Sequence, residues 1–487
     1  MNRPIHLVSF AAQDGAYMPS GTWEYRMKRL PHLGLLSLAA VLKRAGHPYR
    51  VLDQSVHGFD LRRFVAGVRD ARPLFVGLYS TVTQRGVVCE ALRALAREVP
   101  EVPVVVGGPD RCRADLYLAA GARAVAIGEG EEAILDLAHA FEEGSDLGGV
   151  AGLFLDGGSG PVATAERAPI ADLDALPFAD RDALPVGAYH DHHVFGMRLP
   201  YATTMASRGC PYRCSFCDSP AIWGHRIRYR SPANVLAELE DLSERYGIRY
   251  VGFKDDQFAV NPDWEERFLG ALGERRLDVR WSCLVHPYNF RRHREEKLRR
   301  FRDAGCDLLS FGLQAVDPQI LRTIHRSAEE PAELAENVRV AKKLGLTVAV
   351  HFIFGLPGES LANMQGAVAW AERVRPHYTV FFPLTVLEES ELGQSLGDRP
   401  PSDIPAEVLD AQVNQAYRRV YSSPALLLQN LVHALRKNPR WLAIAAAQLG
   451  YILRSTILNR VRYRVARRGA PASALRPPTP AYLAPYG

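Results

Sequence analysis

Three of the seven cysteines in this 487-residue chain stand within eight residues, in the stretch 207–220, SRGCPYRCSFCDSP. Cys210, Cys214 and Cys217 are spaced CxxxCxxC, so a tight loop can bring three thiolates toward one point, and converging thiolates hold metal. A disulfide would leave one of the three unpaired, and scattered cysteines without a secretory leader point to a reducing compartment. Structural zinc wants four nitrogen or sulfur ligands in short paired spacings, which this loop does not supply. An iron-sulfur cluster takes thiolate ligands, normally four. Three local cysteines with no obvious fourth suggest a cluster with one iron left open, and an open iron implies chemistry.

The loop resembles the signature of the radical S-adenosylmethionine (SAM) enzymes. The resemblance implies that Cys210, Cys214 and Cys217 hold a [4Fe-4S] cluster whose fourth iron chelates SAM, and that reduction cleaves SAM to a 5'-deoxyadenosyl radical. Phe216, the aromatic before the last cysteine, matches the family habit of packing a ring near adenine. An external electron donor such as flavodoxin or ferredoxin is implied with it.

The elements that must position this loop run from 195 to 400. Strand-like segments YATTMAS, RYVGF, VRWSCLV, LLSFGL, VAVHFIFG and YTVFF are each followed by a helix-period segment. Six such repeats suggest a partial (β/α)6 barrel with its active site at the strand carboxyl ends, where the cysteine loop falls after the first strand. By position in the resembled family, Asp255 and Asp256 after the second strand meet the SAM amino group, although a solvated turn reads equally well for either alone. Gln314 after the fourth strand contacts SAM, and Gly355 and Glu359 of HFIFGLPGES belong to the segment along adenine. His351, where glycine is common, reads as a satisfied core histidine. Arg228 and Arg230 meet carboxylate or phosphate, or cap the next helix. LTVLEESELG stands where relatives read TPYPGT, so a local turn and part of the substrate wall differ.

Residues 1–143 alternate apolar strand-like runs with helical ones, which argues for a doubly wound parallel sheet with its ligand beyond the strand carboxyl ends. Those ends carry Ser80, Thr81, Gly107, Gly108, Pro109, Gly128, Glu129 and Gly130. No GxGxxG follows the first strand, which speaks against a nicotinamide or flavin dinucleotide. The pieces PHLGLLSLAAVLKRAG, VGGPD and GEGEEAI resemble the Rossmann-like cobalamin-binding domain of cobalamin-dependent radical SAM enzymes, and that resemblance makes those eight residues the cobalamin site. The DxHxxG motif that supplies a lower histidine is absent, so cobalamin is expected base-off without a histidine from this domain. An empty sheet that keeps only the fold is the alternative. Residues 144–194, rich in Gly, Ala, Asp and Pro, read as a linker.

The net charge of +5 hides an asymmetry: after Asp410 there are twelve Arg and Lys and no Asp or Glu, while the first 410 residues carry 47 basic against 54 acidic groups. The tail, 401–487, is helical in pattern. Its uncharged run 441–453 is too short for a bilayer span of about 20 residues. It suits peripheral contact with anionic headgroups, or cover for the open side of the barrel. No nucleic-acid module accompanies the cations. With no basic-then-apolar leader, a cytoplasmic protein is expected, peripheral on the inner face of the membrane if the tail makes that contact.

Domain order resembles the branch holding cobalamin-dependent methyltransferases and the anaerobic magnesium-protoporphyrin ester cyclase. It implies bond formation at an unactivated carbon: C-methylation of a hydrophobic small molecule, or an oxidative cyclisation or rearrangement of a tetrapyrrole- or lipid-type substrate. A metal-binding scaffold without SAM cleavage is the reading from another class.

Overall fold

The computed structural model describes residues 3–11, 28–191, 200–275, 277–397 and 399–437. The first sheet has seven strands: β1 (Ile5–Ser9), β2 (Tyr49–Asp53), β3 (Val76–Tyr79), β4 (Val104–Gly107), β5 (Ala124–Ala126), β6 (Leu153–Asp156) and β7 (Pro161–Ala163), in the order β2-β1-β3-β4-β5-β6-β7. Pairings from β2 through β5 are parallel, and β6 and β7 join antiparallel. The Gly- and Pro-rich composition of 144–194 hid two short strands, so the segment read as a linker begins by extending the sheet. Helices cover both faces. Leu35, Leu36 and Val41 of α1 (Leu33–Ala45) pack with Ile134 and Leu137 of α4 (Gly130–Glu143) on one side, and Phe64, Val65 and Val68 of α2 (Leu61–Ala71) with Val88, Leu92 and Leu95 of α3 (Arg85–Glu98) on the other.

The second sheet is a run of six parallel strands: β8 (Tyr201–Thr204), β9 (Tyr250–Phe253), β10 (Arg280–Val285), β11 (Cys306–Gln314), β12 (Thr347–Phe354) and β13 (Tyr378–Pro383), paired in sequence order. They coincide with the six segments expected from the sequence. Between them run α5 (Pro232–Tyr246), α6 (Pro262–Arg275), α7 (Arg294–Asp303), α8 (Glu330–Lys343) and α9 (Leu361–Val374). The boundaries follow local chemistry: Ser231 accepts from Asn234 N at the start of α5, Pro232 opens its first turn, and Gly247 leaves it in the left-handed region.

Strand alternation divides this sheet into two faces. Trp281, Cys283, Leu309, Phe311, Val350, Phe352 and Phe381 pack outward against the helices. Tyr201, Tyr250, Leu308, Ala349 and Tyr378 close the amino-terminal end of the inner face. Nearer the carboxyl ends Ser282, Leu284, Ser310, Gln314, His351, Ile353 and Phe382 are only half-buried, so the inner face opens there into a hollow.

The start of the cationic tail is structural. α10 (Ala406–Tyr421) covers the edge strand β13, with Val413, Ala416 and Val420 buried. Tyr417 Oη accepts from Phe381 N (3.2 Å), and Tyr421 Oη accepts from Thr379 N and donates to Thr379 O. Side chains thus satisfy an edge that would otherwise be open to pairing. α11 (Pro424–Lys437) follows. The apolar run 441–453 lies outside the described residues.

Candidate functional site

The cysteine loop is pinned on all sides before it can bind anything. β8 ends at Thr204. Two residues on, Ala206 N and Ser207 Oγ both bond to the buried Asp255 carboxylate beyond β9 (3.1 and 2.6 Å). Ser207 and Arg208 pair antiparallel with Tyr229 and Arg228. Ser215 O accepts from Leu392 N (2.7 Å), and Arg213 O meets His325 Nδ1 (3.0 Å). Cys210 is buried, Cys214 and Cys217 are half-buried, and all three are free thiols. Cys217 N donates to Cys214 O (3.1 Å).

Burial pushes Cys210 up to about 11 and Cys217 up to about 12, so their thiolates need positive charge brought to them. Among the described residues no three His, Cys, Asp or Glu side chains are grouped closely enough to hold a single ion.

The residues expected at SAM gather around this loop. Phe216 packs against the buried cluster of Ala315, Ile320, Leu321, Ile324 and Leu356, on which Ile353 also packs, and Leu356 lies in the turn after β12. In that turn Gly355 has φ 90°, and Gly355 N and Leu356 N both donate to Glu359 Oε2 (2.7 and 3.1 Å). Burial of Glu359 outweighs those two bonds and raises its carboxyl to about 7. Gln314 ends β11 at φ 71°. Asp256 accepts from Ser219 Oγ (2.7 Å), just past the last cysteine. Asp255, raised to about 6 by burial, spends its oxygens on the loop itself and acts as a clasp. His351 Nε2 meets Ser310 Oγ (2.7 Å) and its ring lies parallel to Phe382.

A cavity of about 610 Å³ lies between the two sheets. One wall is Gly107, Gly108, Pro109, Gly128, Glu129 and Gly130; the other is Met205, Arg208, Trp223 and Lys254 from the barrel. Its floor reaches Leu35, Val41, Phe75, Ile134 and Leu137 between α1 and α4. A Cβ placed on Gly34 or Gly128, both lining residues, would meet nothing within 4 Å, so these backbones leave room for a bulky occupant. Gly108 is different: at φ 110° its Cβ would stand 2.5 Å from Ser80 O. Ser80 and Thr81 stand off the wall, where Ser80 Oγ bonds Tyr117 Oη (2.7 Å) and Thr81 Oγ1 bonds Thr83 and Gln84. Glu129 faces the cavity yet is held by Arg208 Nη1 (2.5 Å), Arg228 Nη1 (2.7 Å) and Ile170 N (2.6 Å). Burial opposes its charge, but the two guanidiniums keep its carboxyl below the usual range. Arg230 meets Glu238 and Asn234. Both arginines therefore found carboxylates.

Sequence reasoning passed over the groups beneath the loop. Arg326 Nη1 lies 3.7 Å from Cys214 Sγ, while Nη2 donates to Gly312 O (2.7 Å) and the head pairs with buried Glu330. The Tyr212 ring stacks 4.1 Å from that of His286, which burial and Arg326 depress to about 3. His32, bonded to Ser9 Oγ (2.8 Å), also lines the cavity. Each is an ordinary residue in its own segment; only Arg326, a charge inside an otherwise uncharged TIH–S run, offered a signal.

Fold and site together define an α/β protein of two sheets with a cavity between them and a three-cysteine loop beside it. Residues 205–371 match the Radical SAM superfamily, and residues 27–138 match the B12 binding domain. The chain is 28% identical to an uncharacterised methyltransferase of Pyrococcus horikoshii over 75% of its own length and 79% of the relative's. It is 25% identical to the anaerobic magnesium-protoporphyrin IX monomethyl ester cyclase of Cereibacter sphaeroides over 84% of its length and 68% of the cyclase's. The radical SAM methyltransferase TsrM of Kitasatospora setae, solved with cobalamin and a [4Fe-4S] cluster, shares the fold (TM-score 0.64, 21% identity, 82% of this chain and 78% of that one). The chain thus carries a radical SAM domain together with a B12-binding domain, whose cofactors are a [4Fe-4S] cluster, SAM and cobalamin.

Proposed function

We propose that this enzyme transfers a methyl group to an unactivated carbon of a hydrophobic small molecule. The observation that carries the reading is the cavity shared by both domains, which opens beside a three-cysteine loop at the carboxyl end of the first barrel strand. When bound, the reduced cluster and SAM supply a radical able to take hydrogen from a strong C–H bond, and methylcobalamin supplies the methyl group. The protein's part is positional. Cys210, Cys214 and Cys217 would hold three irons, and Asp255 and Asp256 fix the loop that carries them. Phe216 and Leu356 would flank adenine, with Gly355, Gln314 and Glu359 around the rest of SAM. Gly107, Gly108, Pro109, Gly128, Glu129 and Gly130 would cradle cobalamin, with Ser80 and Thr81 behind them. Leu284, Ile353 and Phe382 give the hollow apolar walls, and Ser310 and His351 offer one polar handle. No triad or acid-base pair is required, because the carbon attacked is not ionised.

The likeness to the cyclase over 84% of this chain supports a second reading, oxidative ring closure with the same cofactors. A one-electron donor such as flavodoxin or ferredoxin would serve either reaction. A peripheral membrane contact of the tail is also part of the proposal.

The test uses protein purified without oxygen and reconstituted with iron, sulfide and hydroxocobalamin. One equivalent of base-off cobalamin, together with 5'-deoxyadenosine formed from SAM and lost in Cys214→Ala, is the expected result. Deoxyadenosine without retained cobalamin would remove methylation through cobalamin, and no deoxyadenosine would return the scaffold reading. With methyl-deuterated SAM, label in a product one methylene heavier marks methylation. An unlabelled product lacking two hydrogens marks cyclisation.

A further inference from the structure

We infer that the outer face of α11 is a docking surface for an anionic lipid bilayer. The helix crosses beneath the amino-terminal ends of the barrel strands, and one of its faces is engaged there. Asn430 Nδ2 donates to His377 O (2.9 Å), His433 Nε2 meets Thr347 Oγ1 (2.9 Å), Lys437 pairs with Asp307, and Leu426 and Ala434 are buried. The opposite face carries Leu427, Leu428, Leu431, Val432 and Leu435, which fall on one stripe at i, i+1, i+4, i+5 and i+8. They are five of the eight large aliphatic residues standing exposed among the described residues, and Leu428 is 63% exposed. Single exposed leucines need no explanation, whereas a continuous stripe on one helix marks a contact surface.

Charge says what the contact is. Arg373 closes α9 and Arg436 closes α11, both exposed on the side of the barrel where helices end and strands begin; of the lysines that close α8, Lys343 is exposed beside Glu295, while Lys342 donates to Arg375 O (2.8 Å). The chain runs on for fifty residues after Lys437 with eight more cations and no acid. A second copy would bring the same cations against these. A bilayer of anionic headgroups over aliphatic chains matches both the cations and the stripe. No described helix is long and apolar enough to cross a membrane, so the contact is interfacial. The cavity and cysteine loop lie at the opposite, carboxyl ends of the strands, so docking leaves their mouth open.

The inference rests on the membrane contact proposed for the tail and places it on α11; it does not rest on the reaction, because binding is read directly. Full-length reconstituted protein is sedimented with vesicles of phosphatidylcholine alone and of equal parts phosphatidylcholine and phosphatidylglycerol. Sedimentation with the anionic vesicles only is expected, and Leu428→Asp with Val432→Asp should lower the bound fraction about tenfold at unchanged hydrodynamic mass and melting temperature. In the unaltered protein, amide exchange across 424–437 should slow when anionic vesicles are added. No sedimentation, undiminished binding by the double variant, or unchanged exchange would each overturn the idea. A changed mass would show that a second copy covers the stripe, and a large drop in melting temperature that the chain's own later residues do; either result also overturns it.

Discussion

A buried carboxyl and two exposed glycines at the site differ in what they are sensitive to. Glu359 has its carboxyl raised from 4.5 to about 7 by burial. Between those values the folded state holds a proton that the unfolded chain has lost, so this group's contribution to stability is full below about pH 4.5 and declines as pH rises toward 7. Glu359→Gln should remove that decline, about 2–3 kcal/mol between pH 5 and 7.5, in denaturant midpoints measured across pH. Gly108 and Gly128 both hold positive φ, but a Cβ meets Ser80 O at 2.5 Å at the first and open space at the second. Gly108→Ala should cost about 2–3 kcal/mol in chemical unfolding, because backbone cannot yield. Gly128→Ala should cost about 1–2 kcal/mol. Its larger effect should be lost cobalamin retention, checked by absorbance after gel filtration, since its methyl would enter the cavity.

At the scale of elements, the segment after β13 explains its own departure from the TPYPGT pattern of relatives. Glu389 pairs with Arg111 (3.0 Å), which also donates to Ala221 O just past the cysteines, and Glu388 pairs with Arg85 and Arg113. Leu392 N reaches Ser215 O in the cysteine loop. One short stretch therefore ties the first domain to the loop across the cavity mouth. The Glu389–Arg111 pair is only partly exposed, so Glu389→Gln should weaken docking by about 1 kcal/mol and cobalamin affinity roughly fivefold in equilibrium dialysis. Glu388, 41% exposed, should show a smaller effect on conversion to Gln.

Across the whole molecule, the two sheets are joined through buried charge as well as through the cavity. Arg208 lies in the barrel domain, bonds Glu129 and Glu131 of the first domain at 2.5 Å each, and has Trp223 5.2 Å from its guanidinium. All three charged side chains are close to fully buried. Arg208→Met would leave Glu131 without this partner and Glu129 with Arg228 and Ile170 N, at a cost of about 3–5 kcal/mol. Calorimetry should then show the first domain melting ahead of the barrel. The same variant should lose cobalamin, since the junction is the cavity wall.

Much of this was legible in the chain itself. Six strand segments, the CxxxCxxC loop after the first of them and the glycine-rich strand ends all lie in local sequence, where period, spacing and small residues carry the signal. The sequence by itself therefore determined the two α/β sheets and the three-cysteine loop at the end of the first strand of the second. It could not separate strands from a linker at 153–163, where three glycines and a proline interrupt five apolar residues. Nor could it say that Asp255 turns back on the loop while Asp256 meets Ser219, since two adjacent carboxylates are alike until neighbours are placed. Only the tertiary structure decided that Glu129 is held by Arg208 and Arg228, that Arg326 sits under Cys214, and that α10 seals the barrel edge while the stripe of α11 stays outside. Those partners lie tens to hundreds of residues apart, and their pairing is set by how the two sheets pack.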